Sequence, residues 1–389
     1  MKIKPIQPAV VKQKVTSSDW DYHESNTRMY SHGIHRYSGK FIPQIAKRAM
    51  EIISMEGELI LDPYCGSGTT LLEGLIAKRR VVGIDLNPIA VLISKSKISP
   101  ISQDLLDNEL LAISSSIQRY ELLSNFGLME NPDIDTTFLT DNRLEEPMFT
   151  KWFQPQVLQD LLYIEQEIGK ISADDVKQLA LVSLSEILRR HSNAHSGYPN
   201  VMFDKNAPKK KRPGKNFITQ FSKSIEGVST LRDINVDWSM SEVIHGDATM
   251  MPLDDCCVDA IVTHPPYIGS VPYAEYGLLS LTWLGHDYKK LDSELTGGKR
   301  QRKDVVDRFR DGYGNMIREC YRVLKSGRYM FLMVGNPTVK GEVIDLTEMT
   351  IELAEQVGFS VVLTTERSGK NRRANKMNKE TLIFLQKLV

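Results

Sequence analysis

Short apolar runs alternate with segments of helical apolar spacing along the first hundred residues of the chain. The runs at residues 59–61 and 81–84 each end in an acid, Asp62 and Asp85, and a helical segment that opens at Thr69 lies between them. Strand, tight turn, helix, strand and acid in this order are typical of a doubly wound parallel sheet. The pattern therefore predicts the nucleotide-binding half of such a sheet.

The same alternation returns after residue 240 and indicates the rest of the sheet. Strands are predicted over residues 241–248, 258–263, 329–334, 359–365 and 381–388, with the last two as an antiparallel pair. Helices are predicted over residues 43–53, 88–98, 274–284, 307–325 and 344–357. Pro43 suits a first helical turn, and Gly327 and Gly358 suit left-handed helix ends.

Roughly 140 residues between the second and third predicted strands carry only helical signals. The helices are predicted over residues 105–123, 152–168 and 176–190, the last after a segment at 172–175 that resembles a capping box. A structureless loop of this length is uncommon in a compact protein. We therefore expect a mainly helical inserted domain at 99–240, between the two halves of the sheet at 1–98 and 241–389, and a flexible arm over residues 1–18.

The turn after the first strand carries the candidate chemistry. Residues 62–70 read D-P-Y-C-G-S-G-T-T, and Gly66 and Gly68 would let the backbone approach a ligand closely. Asp85 is placed to accept hydrogen bonds from ribose hydroxyls. The dinucleotide pattern G-x-G-x-x-G is absent, which favours an adenosine ligand without a pyrophosphate.

Residues 62–70 resemble the first motif of the S-adenosylmethionine-dependent DNA amino-methyltransferases, and T-H-P-P-Y at 263–267 resembles their catalytic motif, usually (D/N/S/T)-P-P-(Y/F/W). The resemblance covers roughly residues 30–98 and 242–389. It implies an α/β fold with a Rossmann-like, seven-stranded class I methyltransferase sheet and a large, mainly helical insertion between the second and third strands.

The resemblance also implies S-adenosylmethionine as the cofactor. Asp62 would accept from its ammonium group, Asp85 from its ribose and Asp247 from its adenine amine. Residues 35–43, H-R-Y-S-G-K-F-I-P, resemble the family's N-terminal motif and place Phe41 beside the methionine end. The expected cofactor-binding set is Phe41, Asp62, Cys65, Gly66, Gly68, Thr69, Asp85, Asn87, Asp247 and Ala248. Helix capping is the alternative use of Asp85 and Asp247, and Cys65 is expected to serve packing.

The expected catalytic residues are His264, Pro265, Pro266 and Tyr267. Acceptors at the His264 side chain and the Pro265 carbonyl would face the two hydrogens of an exocyclic amine, and Tyr267 would offer a ring face to an extruded base. His264 departs from the family pattern and leaves the target base open. The continuation P-P-Y-I-G-S-V-P-Y-A-E-Y-G-L-L-S-L-T-W-L-G resembles cytosine enzymes, so cytosine N4 is preferred over adenine N6.

The charge pattern suits a nucleic-acid partner although the 49 basic and 49 acidic residues give a net charge of zero. Residues 205–223 carry seven bases and no acid, and residues 299–303 and 368–379 are also basic. The candidate nucleic-acid contacts are Arg190, Asn193, His195, Lys209, Lys210, Lys211, Arg212, Arg372 and Arg373. Solvated surface loops are the alternative interpretation of each cluster.

We therefore expect a site-specific DNA methyltransferase of a restriction-modification or phage-defence system. Its expected partners are double-stranded DNA and, as a candidate, a cognate restriction endonuclease. An RNA base methyltransferase and a catalytically inactive nucleic-acid-binding protein remain alternatives. The four cysteines lack metal-ligand spacing, and no apolar stretch reaches the length of a membrane span. The expectation is a cytoplasmic protein with no metal and no membrane partner.

Overall fold

The computed structural model of the chain describes residues 6–99, 101–129, 131, 134–198, 200–231, 234, 237–269, 272–296, 304–339, 341–368 and 379–389. In this part of the chain the strands are β1 (Leu59–Asp62), β2 (Arg80–Asp85), β3 (Ser241–His245), β4 (Val258–Thr263), β5 (Leu324–Val334), β6 (Thr338–Val339), β7 (Glu342–Val343), β8 (Phe359–Ser368) and β9 (Lys379–Lys387).

The helices are α1 (Pro8–Thr16), α2 (Pro43–Ile53), α3 (Thr69–Ile76), α4 (Pro88–Lys97), α5 (Gln103–Asn125), α6 (Pro147–Trp152), α7 (Pro155–Gly169), α8 (Asp174–His191), α9 (Gly214–Ser229), α10 (Tyr273–Tyr276), α11 (Leu278–Trp283), α12 (Tyr288–Glu294), α13 (Val305–Val323) and α14 (Leu346–Gln356).

Seven strands form one sheet in the order β3-β2-β1-β4-β5-β9-β8. The pairs among β1 to β5 are parallel, whereas β9 runs antiparallel to both of its neighbours. The central strand β4 is buried along its whole length, as expected for a parallel strand covered on both faces. The predicted Rossmann-like, seven-stranded fold is confirmed.

Apolar clusters cover the two faces of the sheet. One face packs against α1, α2 and α3, with Ile45, Leu71 and Phe331 in its centre. The other packs against α13 and α14, with Phe309 and Met330 among its buried residues. The site is therefore built on a sheet that is fixed from both sides.

The chain between β2 and β3 is mainly helical, as predicted, and holds α5 to α9 after helix α4. Its apolar core continues into Ile89 and Ile93 of α4 and into Leu278 and Leu281 of α11. Polar contacts add to this, because Ser185 Oγ of α8 donates to Ser280 Oγ at 2.7 Å. The inserted region thus packs as a continuation of the sheet domain's helical layer.

The prediction of a flexible arm over residues 1–18 is wrong for its described part. Helix α1 occupies residues 8–16, and Val11 and Val15 on one side of it are 0% and 1% exposed. Trp20, just beyond the helix, is also buried and stacks on Phe331 with ring centroids 6.2 Å apart. Apolar residues spaced by four positions bring this helix onto the sheet face.

Several predicted element ends also differ from the structure. The N-cap of α8 is Ala173, without a side-chain cap, so the predicted capping box is absent. Gly327 has a left-handed φ of 76° but lies inside β5, because α13 passes directly into that strand at Leu324. The predicted helices at 152–168 and 274–284 are each divided, the first before Pro155 and the second at Gly277.

Among the described residues, no helix combines the length and apolar character needed to cross a bilayer. The same residues contain no group of three or more His, Cys, Asp or Glu side chains arranged to hold a metal ion.

The packing of α1 predicts a difference between two adjacent valines. Val11→Ala is expected to lower the free energy of unfolding by about 2 kcal/mol, because it removes two buried methyl groups. Val10→Ala is the matched control, since Val10 is 41% exposed, and it should change stability little. Denaturant unfolding of both variants measures the difference, and equal stabilities would show that α1 does not pack as described.

Candidate functional site

The carboxyl ends of the parallel strands meet at one edge of the sheet and bring the two motifs together. Asp62 ends β1, Thr263 ends β4, and these strands are neighbours. Thr263 Oγ1 donates a hydrogen bond to Asp62 Oδ1 at 2.7 Å, between two buried side chains. Thr263 was not among the predicted site residues, because this contact depends on a strand order that the sequence does not display.

The glycine turn after β1 has the backbone conformation that its sequence predicts. Gly66 and Gly68 have φ values of 50° and 73°, in the region that side chains disfavour. A Cβ atom on Gly68 would lie 3.0–3.1 Å from Ser94 of α4. Thr69 then begins α3 as predicted. The turn therefore presents backbone to the edge of the sheet where the strands end.

Asp85 ties this turn to the second strand. Its Oδ2 accepts from the backbone N–H of Gly66 at 2.8 Å, and its Oδ1 accepts from that of Asn87 at 2.8 Å. Asn87 is the N-cap of α4, since its Oδ1 accepts from Ile89 N at 3.0 Å. Capping therefore falls to Asn87, and each Asp85 oxygen retains capacity for a further hydrogen bond.

Burial makes the two strand-end carboxylates costly to ionise. It raises the pKa of Asp62 to about 6. Hydrogen bonds from the Thr70 and Thr263 hydroxyls and from the Tyr64 backbone favour the charged form and oppose this rise. Burial likewise raises the pKa of Asp85 to about 6, although the Asn87 and Gly66 backbone bonds oppose this. A ligand that brings a positive charge and hydroxyl donors would stabilise both carboxylates. These two acceptors suit a cationic nucleoside.

The remaining predicted cofactor residues divide into exposed and buried positions. Asp247 lies exposed in the turn after β3, where its Oδ1 accepts from Thr249 N at 2.8 Å, and Ala248 beside it is buried. Cys65 is buried with its Sγ 3.9 Å from Ser94 Oγ, and burial raises the pKa of the thiol. A buried thiol of this kind serves packing rather than nucleophilic attack.

Phe41 lies beneath the catalytic motif. It is 6% exposed, stacks on Phe331 with centroids 6.2 Å apart, and approaches the His264 ring at 5.5 Å. Tyr37, from the same N-terminal motif, lies against Gly66 and accepts a hydrogen bond from Asn87 Nδ2 at 3.5 Å. The structure thus brings Tyr37, which the predicted set omits, closer to the glycine turn than Phe41.

The H-P-P-Y motif after β4, predicted to be catalytic, is held by a chain of side-chain hydrogen bonds. His264 Nε2 lies 2.7 Å from the Tyr267 hydroxyl, which donates to Glu380 Oε1 at 2.8 Å. Glu380 also forms an ion pair with Arg367, whose Nε donates to the Trp20 carbonyl at 2.9 Å. Glu380 and Arg367 come from β9 and β8 and carry no local sequence signal for this role.

Burial determines the charge state of the motif. It lowers the pKa of His264, although Glu380 and the Gly39 backbone act in the opposite direction, so the imidazole is neutral at ordinary pH. Burial and the facing carboxylate of Glu380 raise the pKa of Tyr267 well above its usual range. Tyr267 is only 4% exposed, and its hydroxyl is hydrogen-bonded to His264 and Glu380. Stacking of its ring on a base stays a prediction.

A cavity of about 1180 Å³ opens from the catalytic motif towards the inserted helices. His264, Tyr267 and Glu380 line one side of it, and residues of α8, α9 and the loop between them line the other. Its basic side chains outnumber the acidic Glu186 and Glu380: they are Arg36, Lys40, Arg189, Arg190, Lys210, Lys223 and Arg367. A cavity of this size and sign suits a phosphate-bearing substrate larger than an ordinary small molecule.

Three of the predicted nucleic-acid contacts, Arg190, His195 and Lys210, line this cavity. Lys209 and Lys211 are exposed in the loop before α9. Asn193 instead holds its loop, since its Nδ2 donates to the Lys151 carbonyl at 3.0 Å. The candidates Arg372 and Arg373 lie outside the described residues.

Arg212 points into the inserted region and differs from the lysines beside it. Its Nε and one terminal nitrogen donate to the two oxygens of the buried Asp160 at 2.9 and 2.6 Å. Its other terminal nitrogen donates to the Glu121 carbonyl and to Asn125 Oδ1, each at 2.9 Å. Because these donors are committed within the protein, the geometry favours a structural role for Arg212 over phosphate contact.

The model of a family described as DNA methylase matches residues 5–96. The chain is 26% identical over 415 residues to the type II methyltransferase M.MvaI of Kocuria varians, covering 92% of this chain and 88% of that protein. It is 21% identical over 443 residues to the type II methyltransferase M.MjaII of Methanocaldococcus jannaschii, covering 92% and 81%. It is 21% identical to the type II methyltransferase M.BsoBI of Geobacillus stearothermophilus, covering 94% of this chain and 86% of that protein.

Solved structures of lower similarity also match. A methyltransferase from Methanosarcina mazei, described as dependent on S-adenosylmethionine, is 12% identical with a TM-score of 0.36, covering 88% of this chain and 97% of that chain. A putative DNA modification methylase from Thermus thermophilus, in complex with S-adenosyl-L-methionine, is 19% identical with a TM-score of 0.26, covering 37% of this chain and 54% of that chain.

Proposed function

We propose that this chain, a member of the DNA amino-methyltransferase family, transfers a methyl group from S-adenosylmethionine to the N4 amine of cytosine at specific sites in double-stranded DNA. The observation that carries the proposal is the Thr263–Asp62 hydrogen bond, which joins the glycine turn to the H-P-P-Y motif beside a basic cavity. The choice of cytosine rests on the sequence that follows the motif, and adenine N6 is the other outcome of the test below.

Asp62, Asp85 and the turn at Gly66 and Gly68 are the residues that would hold the cofactor. When bound, S-adenosylmethionine supplies an electrophilic methyl group on a sulfonium. The buried carboxylates of Asp62 and Asp85 favour a ligand with a positive charge and hydroxyl donors. Asp247 lies exposed after β3, the strand that pairs with β2. It is proposed to accept a hydrogen bond from the adenine amine.

The motif positions the target amine through hydrogen-bond acceptors. The consecutive prolines stiffen the turn, and the Pro265 carbonyl is the first acceptor offered to an amine hydrogen. His264 is proposed as the second acceptor through Nδ1, because its Nε2 faces Tyr267; the Gly39 backbone also acts on this ring. Two acceptors facing the two amine hydrogens would favour a pyramidal nitrogen, whose lone pair is withdrawn from conjugation with the base ring and available to the methyl group. Positioning of this kind is the main contribution a protein makes to an in-line displacement.

The inserted region is proposed to recognise the DNA sequence. Its loop between α8 and α9 lies across the cavity from the catalytic motif, and Arg190, His195 and Lys210 face that space. Tyr198 at the loop is 52% exposed and packs edge-on against His195 at 5.2 Å. Exposed aromatic and basic side chains opposite a base-modifying motif suit contacts to base edges and phosphates. A restriction-modification setting, with a cognate endonuclease, belongs to the same proposal.

Nucleoside analysis tests the reaction and the target base. DNA and, in parallel, RNA are incubated with the protein and methyl-labelled cofactor and digested to nucleosides, and the labelled nucleoside is identified. N4-methylcytosine is expected, whereas N6-methyladenine would replace cytosine by adenine in the proposal. Pro266→Ala is the matched variant, because it should bind the cofactor normally and lose most of the labelling. Label in RNA alone, or in no nucleic acid, would overturn the proposed function.

Cofactor affinity should depend on Asp85 and on pH. Asp85→Asn removes a charged acceptor and is expected to weaken cofactor binding by about 1.5–3 kcal/mol at pH 7.5. In the wild type, affinity should be complete above pH 7 and fall as the pH drops through 6, because Asp62 and Asp85 then take up protons. Calorimetry measures both effects, with the exposed Asp254→Asn as control. Unchanged affinity in a folded Asp85→Asn protein would remove Asp85 from the site.

Neighbouring basic residues should separate DNA binding from stability. Changing Lys209, Lys210 and Lys211 together to Gln should leave stability unchanged and reduce the salt dependence of DNA binding by about one log–log unit per lost phosphate contact. Arg212→Met should instead destabilise the fold by about 3 kcal/mol, because it leaves Asp160 buried without its partner. Unfolding curves and binding at several salt concentrations measure both. An unaltered salt slope in the triple variant would move recognition away from this loop.

A further inference from the structure

We propose that Glu380, on the last strand of the sheet, is a positioning residue that sets the tautomer of His264 through the hydroxyl of Tyr267. The proposal rests on the proposed function, since His264 is there an acceptor for the target amine. Glu380 lies at the start of β9, 113 residues beyond Tyr267, and its Oε1 accepts from the Tyr267 hydroxyl at 2.8 Å. Nothing in the motif itself indicates that a residue so distant in sequence acts on it.

The hydrogen-bond donors and acceptors in this chain determine its direction. A tyrosine hydroxyl has one hydrogen, and here it is directed to the Glu380 carboxylate. The Tyr267 oxygen can then only accept from His264, so the hydrogen of the neutral imidazole lies on Nε2, 2.7 Å away. His264 Nδ1 consequently carries a lone pair. This is the form of the ring that can accept a hydrogen bond from an amine.

Glu380 is itself held in place from the other side. Arg367 of β8 pairs with its second oxygen and donates to the carbonyls of Trp20 and Asp21 at 2.9 and 3.0 Å. Arg367 is 5% exposed, and Asp21 accepts two further hydrogen bonds from Ser368 at 2.7 Å. The carboxylate therefore has one orientation, and both of its oxygens are engaged. A group fixed in this way can impose a direction on the hydroxyl next to it.

Without an acceptor at position 380, the same hydroxyl would turn to His264. Tyr267 would donate to Nε2, and the hydrogen of the imidazole would move to Nδ1. The ring would then present a donor where the amine needs an acceptor. Residue 380 must therefore offer two acceptor oxygens, one for Tyr267 and one for Arg367, as a carboxylate does.

Two substitutions of similar size separate this role from simple structural support. Glu380→Gln keeps the shape, but its single oxygen goes to the Arg367 guanidinium and its NH2 faces Tyr267. Glu380→Met keeps the shape with neither group. We expect kcat to fall about 100-fold in both variants, because neither offers Tyr267 an acceptor. Simple structural support would instead leave Glu380→Gln close to wild type, since it keeps the shape and a hydrogen bond to Arg367. Cofactor affinity should match wild type in both. Glu366→Gln, which removes an exposed ion pair with Lys379 on the same strands, is the control.

The tautomer can be observed without any turnover. Nitrogen-15 NMR of the histidine rings in the full chain reports which nitrogen of His264 carries the hydrogen, with His264→Gln used to assign the signals. The hydrogen is expected on Nε2 in the wild type, and on Nδ1 in Glu380→Gln and Glu380→Met.

Three results would overturn the proposal. The first is the same tautomer in all three proteins, and the second is wild-type kcat in Glu380→Met. The third is hydrogen on Nδ1 in the wild type, which would show that the Gly39 backbone, the other group acting on the ring, sets the tautomer. Because the NMR measurement does not depend on the target base, a failure of the cytosine assignment would be seen separately.

Discussion

The arrangement of the site depends on the adjacency of β1 and β4 in a parallel sheet. Parallel neighbours end at the same edge, so Asp62 and Thr263 meet although 201 positions separate them in sequence. The hydrogen bond between them fixes the spacing between the glycine turn and the H-P-P-Y motif. Methyl transfer requires the sulfur, the methyl carbon and the accepting nitrogen to lie in one line. The rest of the molecule has to preserve the spacing that permits this.

The elements around the sheet maintain that geometry from three directions. Phe41 and Phe331 support the His264 ring from below, and Ser94 of α4 closes against the glycine turn. Beyond β5, the antiparallel strands β9 and β8 deliver Glu380 and Arg367 to the motif. The segment at Trp20 and Asp21 accepts the remaining donors of Arg367. The N-terminal region is thus part of the support of the catalytic motif.

Local signals in the sequence were sufficient for the sheet and for the residues that act through their own motif. Asp62, Gly66, Gly68, Asp85 and Asn87 lie where strand ends and turn chemistry predict them. Glu380 and Arg367 could not be found in this way, because their role follows from the order β5-β9-β8, which no single segment specifies.

The basic run at 209–212 shows a second limit of the sequence. Counting charges cannot reveal that Arg212 turns inward to Asp160, 52 positions earlier, while the lysines before it stay at the surface. The helix at residues 8–16 is a different case. Its valines at 11 and 15 have helical spacing, but two apolar positions are too few to distinguish a packed helix from a polar arm without the partner surface.

The shared core between the inserted helices and the sheet domain limits how such a protein can change its target. Helix α8 packs on α4, which follows Asp85, and on α11, which follows the H-P-P-Y motif. His35 and Arg36 also form hydrogen bonds with α8. Replacing the whole insertion by that of a relative would expose mismatched surfaces next to both motifs. The described residues of the loop between α8 and α9 are not packed on the sheet domain in this way. Under the recognition role proposed for that loop, specificity can diverge there while the helices are retained as a common frame.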